Sequence, residues 1–366
     1  MTQTPEPRSD TVSSLQFPCK ACGAKMVFHP GQTALRCAHC DYTEDIPKSS
    51  EEVREHSFDD TPPKSAMTGY GVDHRRLECK QCGATTEVEP HIVAYRCAFC
   101  ASNHVVPQEQ SLAVLRPESV LPFRFERERC LDVFRLWLNR LWFRPNTLKK
   151  LAQSGDIQGV YLPFWTYDTL TQSYWTAEAG YHYYETVTSR DSNGKQVTRQ
   201  VQRTRWEPVS GDHTEFFDDV LVQASPSADP SIVRRLEPYP TKELLPYKPD
   251  YLSGFLAEDY RSDMVECWPV AKDRIDSAIR AACARKVPGD TQRNLRVNTG
   301  YYNRTYKLCL LPVWIAAYLY NGKSYVYMVN GVTGKVEGQA PLSWIKVISF
   351  VVVLLAAVGI MAYFLR

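Results

Sequence analysis

The chain has 366 residues, 44% of them hydrophobic, with a formal net charge of +2 and twelve cysteines. That length calls for two or three folded units, and the near-balanced charge excludes a partner captured by bulk electrostatics alone. Many cysteines behind a polar N-terminus point away from a disulfide-built secreted domain and toward a reducing compartment.

Residues 1–16 are expected to be disordered. Met1 to Ser14 contain no apolar stretch of the signal-peptide kind, so the N-terminus is expected to stay in the cytosol. At Cys19, Cys22, Cys37 and Cys40 the pattern C-x2-C-x14-C-x2-C appears, and it recurs at Cys79, Cys82, Cys97 and Cys100. Two residues between cysteines bring both sulfurs to one side of a tight turn, and two such pairs surround a tetrahedral zinc. We therefore expect two zinc ions per chain, in one ribbon over 17–47 and a second over 75–107. With all four positions taken by cysteine, neither zinc has room for a substrate or an activated water.

Gly23 and Gly83 follow the first pairs, where the turn requires positive φ. Asp41 and Ala101 occupy the matching positions after the second pairs, and since Ala tolerates that region poorly, the second ribbon's back turn is expected to differ in shape. His29, His39, His91 and His104 are read as surface residues. Residues 48–74, charged and Ser- and Pro-containing, read as a linker that leaves the ribbons free of each other.

From 111 to 341 the composition turns to Trp and Tyr, and the expectation is an α+β core domain with an antiparallel sheet. Cys130, Phe134, Trp137, Leu138 and Leu141 place an apolar stripe on a helix from about Glu126 to Trp142, with Arg127, Arg129, Arg135 and Arg140 around it. Such a helix covers a sheet or lies on an anionic membrane surface; the first is favoured. Tyr161–Tyr167, Ser173–Ala179 and Tyr181–Thr188 read as strands, and 191–195 as a turn. The return segment Gln196–Trp206, with Lys195 before it, carries Arg199, Arg203 and Arg205 on one face and projects into solvent, as a solvated hairpin or an arm that grips an acidic partner or lipid headgroups. Asp229-Pro230 opens a helix to about Leu236, and Pro269 to Arg285 form another. Asn321-Gly322 is a hairpin turn between Lys307–Tyr320 and Ser324–Asn330. Leu162-Pro163-Phe164-Trp165 is echoed by Leu311-Pro312-Val313-Trp314, which suggests a degenerate duplication. Cys130, Cys267, Cys283 and Cys309, without mutual spacing, read as small core residues.

Residues 344–366 read as a C-terminal transmembrane anchor. Val347 to Leu365 carry no charge and span about 28 Å as a helix, close to the ~30 Å hydrocarbon core. With only Arg366 beyond, everything upstream is expected on the cytoplasmic side.

No catalytic constellation emerges. Gly322-Lys323-Ser324 resembles the end of a phosphate loop, but Ala317 stands at the first glycine position and the segment is a hairpin turn. His213-Thr214-Glu215 and the first cysteine pair contain the words of a zinc deaminase in the wrong order. Neither H-E-x-x-H nor G-x-S-x-G occurs, so the chain is expected not to be an enzyme.

The Cys79–Cys100 ribbon, Gly159–Trp165, Leu311–Trp314, Val329–Val336 and the apolar tail together resemble bacterial membrane-anchored zinc-ribbon proteins. These are often labelled similar to the primosomal replication-restart helicase. The resemblance implies a membrane-associated adaptor at the bacterial inner membrane, similar to proteins found beside phage-shock-A-like and flotillin-like (SPFH) membrane-stress components. The leading expectation is thus a tail-anchored scaffold that recruits a protein partner. The alternatives are a nucleic-acid-binding ribbon protein tethered to the membrane, against which the ribbons' few cations argue, and an enzyme with its site in the core domain.

Overall fold

Three strands of unusual length form the spine of the molecule. The computed structural model describes residues 17–49, 52–59, 70, 75–88, 96–103, 105–107, 115–145, 157–190, 196–320, 323–339 and 343–364. The expected disordered N-terminus, the turns at 191–195 and 321–322, His91 and His104 lie outside them. Ribbon one supplies β1 (Met26–His29), β2 (Ala34–Cys37) and β3 (Thr43–Asp45), a separate antiparallel sheet. Next come β4 (His56–Ser57) and the ribbon-two strands β5 (Arg75–Cys79), β6 (Thr85–Val88) and β7 (Val105–Pro107). The core contributes β8 (Ser119–Val120), α1 (Arg127–Arg140), β9 (Gln158–Arg190), β10 (Gln196–Gln223), α2 (Pro230–Leu236), β11 (Leu245–Pro246), β12 (Leu256–Glu258), α3 (Met264–Lys286), β13 (Thr291–Tyr320), β14 (Lys323–Asn330) and β15 (Val336–Gly338). Helix α4 (Trp344–Phe364) follows.

The three segments expected as separate strands are one strand of 33 residues, β9, whose side chains change character along its length. Val160 to Thr169 are buried throughout, as where both faces of a sheet are covered. From Thr171 to Ala179 burial alternates, with Trp175 and Ala177 turned toward Ile275, Ile279 and Cys283 of α3. Beyond Gly180 the partner β13 stops, and Tyr181–Arg190 pair with Gln196–Arg205 alone. That two-stranded arm is solvent-exposed over most of its length and extends about 30 Å at ~3.3 Å per residue. It carries out the expected projection of the Arg199–Arg205 segment.

The two Leu-Pro-x-Trp stretches lie side by side: Leu162 faces Leu311 and Tyr161 faces Pro312 across the β9–β13 ladder. Around this point the two halves match. Each half runs short strand, helix, long strand and return strand: β8–α1–β9–β10 and β12–α3–β13–β14. Each short strand crosses over to the other half and pairs in parallel. Leu256 lies opposite Val160, two residues before Leu162, and Ser119 lies opposite Cys309, two residues before Leu311. The core is therefore a duplicated unit with exchanged short strands, and its sheet is antiparallel except at these two ladders.

Helix α1 buries Cys130, Phe134 and Leu138 against the sheet, with Phe134 stacked on Tyr327. Helix α3 starts earlier than expected. Asp263 caps it, accepting from the Val265 and Glu266 backbone, while the Glu266 side chain reaches back to the Asp263 N–H. Pro269 is accommodated inside the helix rather than opening it. Cys130, Cys267, Cys283 and Cys309 are all buried, as expected.

The ribbons are not independent of the core. Ribbon one packs through Met26, Phe28 and Leu35 into a cluster with Phe123, Tyr251 and Tyr161. Ribbon two joins the large sheet directly, since β6 pairs with β12. The described residues of the expected linker, 48–49, 52–59 and Tyr70, are also held down. His56 and Ser57 pair with Tyr306 and Thr305, Phe58 packs near Tyr167, Trp268 and Tyr306, and the Tyr70 hydroxyl donates to the Glu258 carbonyl at 2.7 Å. The physical reason is an anchor of few residues, among them Glu55, Phe58 and Tyr70, which meet Lys307, Trp268 and the Glu258 carbonyl and are concealed by a charged composition.

Candidate metal centres

The same turn is built four times. In each C-x2-C the amide of the residue after the second cysteine bonds back to the first cysteine's carbonyl. Gly23 donates to Cys19 at 2.8 Å, Asp41 to Cys37 at 3.0 Å, Gly83 to Cys79 at 2.7 Å and Ala101 to Cys97 at 2.9 Å. The cysteine amide closes the turn from the other side: Cys19 to Ala24, Cys37 to Tyr42, Cys79 to Ala84 and Cys97 to Ser102. All four turns have positive φ, at 74° for Gly23 and Gly83, 58° for Asp41 and 60° for Ala101. The second back turn therefore does not differ in shape. Its two hydrogen bonds hold Ala101 in the left-handed region despite the methyl group's steric cost.

These turns bring four sulfurs together in each ribbon, all within 4.8 Å of one another. Cys19–Cys40, Cys22–Cys37, Cys79–Cys100 and Cys82–Cys97 are each 3.6 Å apart. A tetrahedron of sulfurs about 2.3 Å from zinc has an edge of about 3.8 Å, whereas a disulfide needs about 2.05 Å. The sets fit zinc and exclude disulfide pairing. Each chain accordingly has two four-cysteine zinc centres, at Cys19, Cys22, Cys37 and Cys40 and at Cys79, Cys82, Cys97 and Cys100. In both, the first cysteine of each pair faces the interior and the second lies further out. Backbone N–H groups aimed at Cys37, foremost that of Cys40, draw its thiol down to about 6, while at Cys40 a backbone bond is outweighed by bonds to the neighbouring sulfurs and by burial, which push its thiol up.

Four cations around the ribbons face carboxylates, and Arg96 donates to the Ala101 carbonyl at 2.9 Å. Lys20 pairs with Glu44, Arg36 with Asp41 at 2.8 Å, Lys80 with Glu78 at 2.8 Å, and Arg76 bridges Glu87 and Asp259. His29 sits beside Glu126 and His39 is exposed; neither joins a cysteine set.

A third group of candidate ligands, Glu55, Asp168 and Asp219, was not visible in the sequence because its members are far apart in the chain. Its centre is occupied by a side-chain ammonium. Lys307 Nζ lies 2.9 Å from Glu55 and 2.6 Å from Asp219, while the Asp219 amide donates to Asp168 at 2.6 Å. Burial pushes Glu55 up, but bonds with Asp168, Lys307 and Thr305 outweigh it and leave the carboxyl at about 2. Burial first, and then the shared bond with Glu55, raises Asp168 to about 7. With a lysine in the cation's place, this group is an internal clamp that fixes the Glu55 segment to the sheet.

Helix α4 has none of its residues buried and is long and apolar enough to cross a membrane. Among the described residues it is the one such helix.

Residues 19–44 match a family model described as the PriA DNA helicase Cys-rich region domain, a zinc ribbon. Over 347 residues, 91% of this chain and 92% of the relative's, the chain is 28% identical to the uncharacterized protein YdjG of Bacillus subtilis strain 168. No solved structure matches the chain.

Proposed function

We propose that the chain is a single-pass membrane scaffold whose zinc ribbons and duplicated core face the cytosol and hold a protein partner at the inner membrane, without catalysing a reaction. The observation that carries this reading is that both zinc sets are complete in cysteine and docked on one sheet, beside an apolar helix that the fold leaves unburied. A closed centre of four cysteines supplies rigidity and no open coordination position. From the family resemblance, the partner class is a phage-shock-A-like or SPFH-like protein.

A nucleic-acid-binding reading draws on the likeness of residues 19–44 to a helicase ribbon and on Arg199, Arg203 and Arg205 along one face of the arm. Charge pairing weakens it. Arg203 faces Glu185 and Arg205 faces Glu207, each at 3.0 Å, and four of the ribbon cations named above are paired as well. Few cations remain for the phosphate contacts that such binding uses.

The test is affinity capture with the detergent-extracted full chain, nuclease present throughout, in parallel with a chain lacking ribbon two. A protein retained under nuclease by the intact chain supports the scaffold. Recovery of nucleic acid alone, with steep loss between low and moderate salt, would replace it with the second reading.

A further inference from the structure

The short segment after α1 is fastened to the head of α4. The Ser343 amide donates to the Phe143 carbonyl at 2.8 Å, and Lys346 Nζ donates to the carbonyls of Trp142 and Arg144 at 3.3 and 2.8 Å. The Phe143 ring meets the Phe350 ring edge-on, 5.3 Å between centroids. Phe350 lies about 9 Å along the helix from Trp344 at ~1.5 Å per residue. If α4 spans a bilayer, Phe143 is therefore carried to the level of its first two turns, inside the interface.

Two further features fit that position. Trp142 is 79% exposed and Trp344 is 69% exposed, although both are large and apolar. Tryptophans gather at the membrane–water boundary, where an apolar ring carries one polar N–H. All four carbonyls from Leu141 to Arg144 are also hydrogen-bonded, that of Leu141 by the Arg144 amide. Backbone that enters a poorly hydrated layer requires such closure, whereas an ordinary surface loop leaves it to water. Arg140 is exposed at the end of α1, two residues before Trp142, so a cation flanks the aromatic pair.

We propose that Leu141–Arg144 is a second membrane-contacting element. Trp142 and Phe143 seat in the boundary layer beside α4, and the exposed Arg140 faces anionic lipid headgroups. This rests on α4 being the anchor. It orients the protein, because α1 is packed on the sheet through Phe134 and Tyr327 and so ties the sheet to the bilayer plane at two points.

The experiment uses the full chain reconstituted into vesicles of phosphatidylcholine, with or without phosphatidylglycerol, whose acyl chains are brominated near the headgroup end. Tryptophan emission lost to bromine is compared among the wild type, Trp142→Phe and Trp344→Phe. The expected result is that each variant loses about half of the quenchable emission. Quenching is also expected to be stronger with phosphatidylglycerol, and Arg140→Gln should abolish that difference. An unchanged quenchable fraction in Trp142→Phe, in chains that resist alkaline carbonate extraction, overturns the proposal and leaves the anchor standing. Equal quenching of the wild type in both lipids overturns the headgroup contact. Release of the chain by carbonate removes both readings.

Discussion

Replacing Phe28 with alanine is expected to undock ribbon one without emptying its zinc site. Phe28 is 2% exposed, and its ring lies 5.5 Å from that of Tyr251 and 6.2 Å from that of Phe255, both edge-on. Removing a buried phenyl ring costs about 3–5 kcal/mol, in which the two aromatic contacts are already contained. The backbone bonds beside it, Phe28 amide to Ser253 carbonyl at 3.0 Å and Ser253 hydroxyl to Met26 carbonyl at 2.8 Å, would remain. They are too few to offset that loss, since each contributes about 1 kcal/mol. The population of undocked ribbon should rise by about a hundredfold or more. The knuckle turns close locally and do not use Phe28, so metal content should stay at two. Hydrogen exchange checks both halves of the expectation: protection of the Phe28 amide falls by about two decades, while the Gly23 and Asp41 amides keep theirs. Unchanged protection at Phe28, or loss of one zinc together with the docking, would refute the reasoning.

Metal analysis of protein purified without chelator should give two zinc ions, and one or none would contradict the geometry of the two cysteine sets. Cys79→Ser with Cys82→Ser should leave one zinc and disorder ribbon two, because small ribbons take their stability from the metal; a variant that still binds two would show that other ligands serve. Deleting 344–366 should release the remaining chain from membranes in a high-salt wash if α4 is the principal anchor, and persistent pelleting with membranes would contradict that. Burial raises Glu258 to about 7, a shift that hydrogen bonds from Ser225 and Ser227 only partly offset. An acid whose folded value is raised contributes stability that is complete below its unfolded value near 4.3 and is lost as pH rises through about 7. Glu258→Gln should therefore flatten the decline in stability between pH 5 and 7 and be more stable than wild type at pH 8; an unchanged slope in chemical denaturation would refute it.

The sequence makes the metal centres fully legible, because their chemistry is local: the spacing within and between cysteine pairs already sets the tetrahedron. The stripe of α1, the capped start of α2 and the paired flanks of Asn321-Gly322 are local too, and all were readable. What escaped depends on contacts far apart in the chain. Glu55 and Phe58 sit in a charged stretch, and only Lys307, Tyr167 and Trp268, brought near by the fold, turn that stretch from a linker into part of the sheet. The continuity of β9 was hidden for the same reason. Its character changes with whichever layer covers it, so periodicity read in short windows broke it into three. The start of α3 is local as well: Asp263-x-x-Glu266 is a capping box in the sequence, and Pro269 lies inside the helix that it opens.

The exchange of short strands between the two halves of the core has a kinetic consequence. Ser119 cannot find its place until Cys309 has been synthesised, and Val160 waits for Leu256. Pairings between such distant residues form slowly, since the loop must close before any contact rewards it. The zinc knuckles are under no such constraint and can close as soon as their own cysteines emerge. During synthesis there is thus an interval in which both ribbons hold metal while the surfaces they dock on do not yet exist. In that interval the apolar faces of Met26 and Phe28 are open to other proteins, and a chain stalled before Tyr251 would stay in that state.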